Sequence, residues 1–231
     1  INNKQVFYKD TNNFIRSFFK AYGEVTYRRA IKTRHRCGIA YTVENLTDTV
    51  VSLNPTYFKN GSSRVSFPEV YYLMSYFDVD YNPYPLKGYI AEVYFVKKGI
   101  NDKINLWQLS AKTNGSWEIA NQTYFSARLA GTVKVPFRQP FFNQRLLGYS
   151  DFFMQGFEYY VVDGVAGGYA KAVLSREIVN LIFQVKRKKD EQFSKVPLGA
   201  YAKTFINAGY MYHPDPGTNT LNNRMLYSWG V

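Results

Sequence analysis

The sequence predicts an all-β protein, a transmembrane antiparallel β-barrel of which this chain supplies about nine or ten strands. Three observations predict this fold. Apolar and polar residues alternate with a period of two, the alternating segments are long, and short links between them alternate with long ones. No stretch approaches the ~20 consecutive apolar residues of a membrane helix. A chain of this kind therefore crosses a membrane only as a barrel.

The alternation is clearest from Phe125 to Val133. Odd positions there hold Phe, Ala, Leu, Gly and Val, whereas even positions hold Ser, Arg, Ala and Thr. The segments from Trp107 to Lys112 and from Tyr89 to Val96 alternate in the same way. This pattern gives each strand one apolar face. It fits a soluble sandwich, whose apolar face points inward, and a membrane barrel, whose apolar face contacts lipid.

The predicted strands are long. Many of them reach the ~9–11 residues that cross a bilayer, whereas soluble strands have about 5–6 residues. They fall near residues 14–20, 22–33, 36–46, 67–79, 88–99, 103–113, 117–135, 168–180, 198–212 and 221–231.

The links between these strands differ in length. Short links are expected near 34–35, at 80–87 and at Asn114-Gly115, which is typical of a tight hairpin. Longer links are expected at 47–66, 136–167 and 213–220. If successive turns lie on opposite sides of the sheet, most long links share one side, as in outer-membrane barrels. Two links depart from this pattern: 100–102 is short on the long side, and 181–197 is long on the short side.

The composition is rich in aromatic and basic residues, with 21 Tyr, 18 Phe and a formal net charge of +12 in 231 residues. Basic residues are dispersed, and the exception is the run Lys186-Arg187-Lys188-Lys189. The dispersal disfavours a nucleic-acid stripe, so no nucleic-acid partner is expected. The run reads as a solvated basic turn or as a contact to phospholipid headgroups, worth roughly 1 kcal/mol per cation.

No feature of the sequence indicates an enzyme, a metal site or a cofactor. His35 and His213 have no metal-like spacing to another ligand, and both are expected as solvated turn residues. The lone Cys37 is expected as a small strand or turn residue. Asp78 and Asp80 could bind a hard cation, but no third ligand lies nearby, so they are expected to cap a turn. The glycine-rich stretch 164–168 lacks the Lys-Ser/Thr ending of a phosphate loop and is expected as a loop-to-strand transition.

Two blocks of sequence carry a resemblance to a known family. They read RQPFFNQRLLGY over 138–149 and GFEYYVVDG over 156–164. Together they resemble the large external loop of BamA/TamA-type (surface antigen) barrels, which folds back into the lumen. The segments 80–89, 52–58 and 221–228 also resemble that family, and the likeness runs from about residue 24 onward.

The resemblance implies a sixteen-stranded barrel in the bacterial outer membrane, preceded by periplasmic polypeptide-transport-associated domains. Residues 1–231 then form part of one barrel domain, with 136–167 folded into the lumen, covering roughly the fifth or sixth strand through the fourteenth. The partners it implies are outer-membrane lipid, lipopolysaccharide and other outer-membrane or periplasmic assembly proteins. The chain starts without Met or a signal segment and stops inside an apparent strand, so it is expected to be a piece of a longer protein.

One position departs from the family pattern. The motif Met154-Gln155-Gly156-Phe157 carries Gln where the family has Arg. The resemblance implies that this Arg reaches an Asp on the thirteenth strand, and the matching position here is Asn207. We expect the two amides to replace the ion pair with a hydrogen bond worth about 0.5–1.5 kcal/mol. Lys203 shares the face of Asn207 by period two. The alternative is that Gln155 and Asn207 never meet and each faces water.

The resemblance leaves three hypotheses on function. The first is a barrel that assembles or inserts outer-membrane proteins. The second is a paralogue without insertase activity that serves as a structural or accessory subunit, which the neutral pair favours. The third is a soluble basic β-protein that binds polysaccharide or nucleic acid.

Overall fold

A computed structural model describes residues 3–4, 14–100, 104–149, 152–184 and 195–231. Within these ranges the chain is all-β, as the sequence predicted, with one large antiparallel sheet, two short α-helices and a 3₁₀ helix at Lys59–Gly61. No helix in the described part of the chain is long and apolar enough to cross a membrane.

Nine strands form the large sheet, and two short strands pair separately. The order in the large sheet is β1-β2-β3-β4-β5-β6-β9-β10-β11, so each strand pairs with the next one except where β7 and β8 interrupt. The elements are β1 (Arg16–Tyr27), β2 (Thr33–Leu46), α1 (Asp48–Leu53), β3 (Arg64–Val79), β4 (Gly88–Lys98), β5 (Leu106–Ala120), β6 (Thr123–Val135), α2 (Phe141–Gln144), β7 (Arg145–Leu147), β8 (Val162–Asp163), β9 (Ala166–Gln184), β10 (Lys195–Tyr212) and β11 (Met225–Gly230).

The beginning of the sheet differs from the prediction. The segments 14–20 and 22–33 belong largely to one strand, β1, which pairs without interruption from Arg16 to Tyr27 with β2. The turn lies at 28–32 and not at 34–35, because Thr33 N–H donates to the Ala30 carbonyl at 3.3 Å and closes the turn there.

The hairpin predicted at Asn114-Gly115 is wrong. Both residues lie inside β5, and the turn falls at 121–122, where Gln122 has a φ of 56°. A Cβ on Gly115 would stand 2.5 Å from the Trp117 indole. Glycine at 115 therefore provides room for a large aromatic ring in the middle of a strand and does not mark a turn.

The link predicted at 181–197 is shorter than expected. Strand β9 continues to Gln184 and β10 begins at Lys195, with Leu181 opposite Leu198 and Phe183 opposite Val196. The apolar residues 181–183 therefore extend the strand. The basic run 186–189 lies outside the described residues.

The long links lie on one side of the sheet, as predicted. Links 47–63, 136–165 and 213–224 follow β2, β6 and β10, which all run in the same direction. The short links 28–32 and 80–87 follow β1 and β3, which run the opposite way.

The sheet is strongly curved. Tyr84, in the link before β4, has its ring centroid 5.4 Å from that of Tyr201 in β10. Strands β4 and β10 are four positions apart in the sheet. In a flat sheet they would be about 19 Å apart, at ~4.8 Å per strand. The contact therefore defines a concave face, on the side where Tyr84 and Tyr201 meet, and an outward face opposite to it.

The two faces differ in polarity. The concave face buries ionisable and polar side chains such as Glu44, Glu69 and Asn207. The outward face exposes apolar ones, for example Leu129 at 56% and Ile206 at 60%. This distribution reverses the arrangement in a soluble sandwich, which buries its apolar face.

Candidate functional site

Residues 136–165, which we call the inner loop, pack on the concave face. Strands β7 and β8 form a small sheet within the loop, with Arg145 opposite Asp163. The buried Leu147, Met154 and Val162 of the loop join one apolar cluster with residues of the surrounding wall. The buried wall residues of this cluster are Ala130, Tyr169, Met211, Leu221 and Leu226.

A second apolar cluster joins the inner loop to the link 47–63. Phe142 of the loop lies 5.6 Å, ring to ring, from Phe58 and 5.9 Å from Phe67 of β3. Arg145 of the loop donates from Nη2 to the Tyr57 hydroxyl at 2.9 Å. The loop is therefore packed against the concave face on one side and against another long link on the other.

The base of the inner loop is fixed to β6 by a buried lysine. Lys134 is 4% exposed, and its Nζ donates to the carbonyl of Arg145 at 2.6 Å. Its backbone N–H donates to the carbonyl of Val165 at 2.7 Å. A buried ammonium is costly unless it is hydrogen-bonded, so these loop carbonyls and Lys134 depend on one another.

Asn3 adds a third attachment. Its Nδ2 donates to the Val161 carbonyl at 3.2 Å and to Asn222 Oδ1 at 3.2 Å. Its Oδ1 accepts the N–H of Leu221 at 2.9 Å. One buried asparagine therefore links the inner loop to the segment before β11.

The motif 154–157 is attached to the wall through its backbone. The carbonyl of Gln155 accepts a hydrogen bond from Asn207 Nδ2 of β10 at 3.2 Å and another from Ser228 Oγ of β11. Gly156 has a φ of +85°, and a Cβ there would lie 2.8 Å from Ser228 Cβ. Phe157 is half-buried against the apolar cluster. Glycine thus allows the chain to approach β11 closely at a left-handed position.

The structure brings Gln155 and Asn207 together but not as an amide–amide pair. Gln155 Oε1 and Asn207 Oδ1 are both buried and have no hydrogen-bond partner. The side chain of Asn207, which is 1% exposed, binds the backbone carbonyl of Gln155 instead. The expectation that each faces water is therefore also wrong. The contact is neutral and depends on the identity of Asn207 more than on that of Gln155.

Lys203 lies on the concave face and lines the same cavity as Gln155. Its Nζ sits 4.2 Å from the centroid of the Tyr84 ring. Its described neighbour is thus an aromatic face, which attracts the ammonium through the ring quadrupole. The other predicted contact group, Lys186, Arg187, Lys188 and Lys189, lies outside the described part of the chain.

Three titratable groups lie near one another at the inner loop: Asp163 and Tyr149 of the loop, and His213 of the link 213–224. Burial raises the pKa of the Asp163 carboxyl, although the Tyr149 hydroxyl donates to it and partly offsets this effect. Burial also raises the pKa of Tyr149. Burial lowers the pKa of His213 from its ordinary value of 6.5. Nδ1 of His213 accepts the N–H of Asp215 at 3.0 Å, so the ring proton belongs on Nε2, 3.0 Å from Gln144 Oε1.

Both histidines differ from the solvated turn residues that we expected. His213 is buried and hydrogen-bonded, and His35 lies in β2 with its Nδ1 2.8 Å from the Tyr72 hydroxyl. Cys37 is an exposed residue of the same strand, as expected. Asp80 does cap its turn, because Oδ1 accepts three backbone N–H groups of the link 80–87. Asp78 instead pairs with Lys32 at 2.8 Å.

Sequence reasoning missed the ion pairs of the concave face. Arg16 pairs with Glu44 at 2.9 Å, and Glu69 lies between Lys20 and Lys98. Most of these residues lie in β1, β2 and β3, for which no alternation was described from the sequence. Arg16 and Lys20 are four positions apart and therefore share one face of β1, and this spacing could have indicated a charged inner face. Among the described residues no group of three His, Cys, Asp or Glu side chains could hold a metal ion.

The fold and the loop together define a class of structure, a curved antiparallel sheet whose concave face is filled by a long loop. No family model matches the chain, and no curated protein matches it. Among solved structures it is similar to BamA from Haemophilus ducreyi lacking POTRA domains 1–3, with a TM-score of 0.62 at 12% sequence identity. The match covers 93% of this chain and 47% of that one, so this chain spans about half the length of that structure. The similarity shows that this open sheet has the fold of part of a BamA-like barrel.

Proposed function

We propose that this chain is part of an outer-membrane β-barrel of the BamA/TamA type in a Gram-negative bacterium, and that the barrel assists the assembly or insertion of outer-membrane proteins. In this proposal the inner loop fills the lumen. The outward face contacts lipid and lipopolysaccharide, and the partners are other outer-membrane or periplasmic assembly proteins.

Two aromatic groups on the outward face are the observation that carries the membrane assignment. At one end of β4 and β5, Phe95 and Trp107 are 5.7 Å apart between ring centroids. At the other end, Trp117 is 5.5 Å from Tyr89 and 6.0 Å from Phe125. The indole N–H of Trp117 donates to the Tyr89 hydroxyl at 2.7 Å. Aromatic residues with a polar tip are typical of the two membrane–water interfaces.

The spacing of these groups matches a bilayer. Trp107 and Trp117 lie in the same strand, about 33 Å apart at ~3.3 Å per residue. A strand tilt of ~40° reduces this to about 25 Å along the barrel axis, the height of the apolar band of outer-membrane barrels. Leu109 and Leu129 lie between the two groups and are more than half exposed. An apolar band of this extent is unfavourable in water.

Depth-dependent fluorescence quenching tests the membrane assignment. Variants of the full-length protein would retain Trp107 or Trp117 as the single tryptophan, with every other tryptophan replaced, in vesicles of lipids brominated at defined depths. We expect shallow bromines to quench both most strongly. A tryptophan introduced by Ala111→Trp, which lies near the middle of the band on the same outward face of β5, should respond most to deep bromines and is the matched control. Absence of quenching at every depth, together with no heat-modifiable gel mobility, would favour the soluble basic β-protein.

The assembly role is supported by the BamA-like fold and by the resemblance of the loop sequence. The uncharged attachment of Gln155 favours a second candidate, an accessory or structural subunit without insertase activity. Depleting the protein and measuring the levels of other barrel proteins separates the two. A general fall supports the assembly role, whereas unchanged levels with loss of one specific complex support the accessory subunit.

A further inference from the structure

Three cationic side chains from adjacent strands line one cavity under the inner loop. Arg128 of β6, Lys171 of β9 and Lys203 of β10 border a space of about 240 Å³, together with Gln155 of the loop. Arg128 and Lys171 are directly opposite each other in the register of the two strands. The sheet thus places three positive charges around one small volume.

These three cations have no ion pair within the described residues, unlike others on the concave face. Glu44, Glu69 and Glu92 each pair with a neighbouring Arg or Lys. Around Lys171 the described charged neighbours are Arg128, Lys203 and one carboxylate, Glu158 of the inner loop. Glu158 is exposed, and its Oε2 already accepts the N–H of Gly156 at 2.9 Å. The cavity therefore has an excess of positive charge.

Neighbouring groups hold two of the cations in place. Lys203 Nζ lies 4.2 Å from the Tyr84 ring centroid, and Lys171 Nζ lies 6.0 Å from that of Phe205. The neutral polar lining includes Asn114, Ser126 and Ser175. A site whose donors are already positioned loses less conformational entropy when a ligand binds.

We propose that this cavity binds a phosphate-bearing anion. A guanidinium offers a planar pair of donors and an ammonium a compact point charge, and the two together suit the several oxygens of a phosphate group. The cavity is too small to take a lipid acyl chain as well, so only the anionic group enters. Glu158 competes with the ligand as the local counter-ion. The site goes beyond the proposed assembly role and does not depend on it.

Calorimetric titration of the full-length protein in detergent micelles with pyrophosphate, at low ionic strength, tests the site. Replacing Arg128, Lys171 and Lys203 by Gln should weaken binding at least ~10-fold, which corresponds to about 1.4 kcal/mol, because charged hydrogen bonds to the anion are lost. Glu158→Gln should strengthen binding. The matched control replaces Lys59, Arg64 and Arg224 by Gln, which removes the same charge from exposed positions.

The control variant should bind pyrophosphate as the wild type does. An equal loss in the two triple variants, or no binding by the wild type, would overturn the proposal. Micelles containing phosphatidylglycerol then distinguish the source of the phosphate. Displacement of pyrophosphate by that lipid identifies a headgroup, whereas unchanged pyrophosphate binding identifies a free phosphate compound. Gel mobility on heating tests the barrel separately, so the two proposals can fail independently.

Discussion

Replacing Gly156 by Ala should release the inner loop from the edge of the sheet. Gly156 has a φ of +85°, and the new Cβ would lie 2.8 Å from Ser228 Cβ. Neither atom can move alone, because Ser228 belongs to β11 and Gly156 adjoins the carbonyl that Ser228 and Asn207 hold. The loop must therefore shift away from the wall.

The cost of this substitution has two parts. A left-handed backbone costs a residue other than glycine about 1–2 kcal/mol. The shift also breaks two hydrogen bonds to the Gln155 carbonyl, at about 0.5–1.5 kcal/mol each. The expected loss of unfolding free energy is therefore about 2–5 kcal/mol. Gly217→Ala is the matched control, because Gly217 has a φ of +54° and nothing within 4 Å of its Cβ position. Gly217→Ala should lose only the unfolding free energy that corresponds to the left-handed backbone.

The assay is chemical unfolding of the full-length protein in micelles, combined with the rate of protease cleavage within 136–165. Gly156→Ala should lose about 1–3 kcal/mol more than Gly217→Ala and should expose the loop to protease. Adding Ser228→Gly to Gly156→Ala should restore only the hydrogen bond from Asn207, worth about 0.5–1.5 kcal/mol, because Ser228→Gly itself removes the second donor to the Gln155 carbonyl. Equal losses in the two alanine variants would refute the reasoning, because they would show that the approach to β11 contributes nothing.

Three further predictions concern the same region. Gln155→Arg adds a cation to the cavity that Lys203 lines, so chemical unfolding should show it to be less stable than Gln155→Arg combined with Asn207→Asp. The charged hydrogen bond gained contributes about 1.5–3 kcal/mol, and the lost Asn207 bond to the carbonyl of residue 155 offsets about 0.5–1.5 kcal/mol of it, so a net difference of about 1 kcal/mol is expected and equal stabilities would contradict this. Lys134→Met leaves buried loop carbonyls without their donor, which costs about 1–3 kcal/mol. Limited proteolysis should then cut the inner loop faster than in the wild type. An unchanged rate would mean that Lys134 does not hold the loop. Burial lowers the pKa of His213 in the folded state, so the unfolded chain binds more protons than the folded one. The unfolding free energy should therefore decrease as pH falls below about 6.5. If His213→Gln shows the same pH dependence of the unfolding free energy as the wild type, the effect belongs to another group.

The positions of the strands and the faces of their side chains were largely predictable, because the alternation of side chains along a strand is a local property. Turn positions were harder to predict. Asn114-Gly115 has the composition of a hairpin, but the room that Gly115 gives to Trp117 decides its role, and that contact is visible only once the side chains are placed. The actual turn at 121–122 includes Gln122, a residue with no strong turn preference. The position of this turn is therefore determined by tertiary packing and not by local composition.

The candidate site was predictable in outline and not in its bonds. The family resemblance implied that Gln155 lies near Asn207, but it could not show that the amide of Asn207 would bind a backbone carbonyl, because every residue has one. Lys134 was visible only as one polar residue in an alternating strand. Its burial depends on the inner loop, which covers it from a position more than ten residues later in the chain.

The carbonyl of Gln155 also reports on the alignment of two strands. Asn207 and Ser228 are partners in the β10–β11 register, and both donate to this one oxygen. A slip of one residue would turn Ser228 to the opposite face, and a slip of two would move it about 7 Å along the strand. In either case the oxygen would lose one of its two donors. The docked loop is thus compatible only with the observed alignment of β11, and a misaligned edge would leave the Gln155 carbonyl short of a donor.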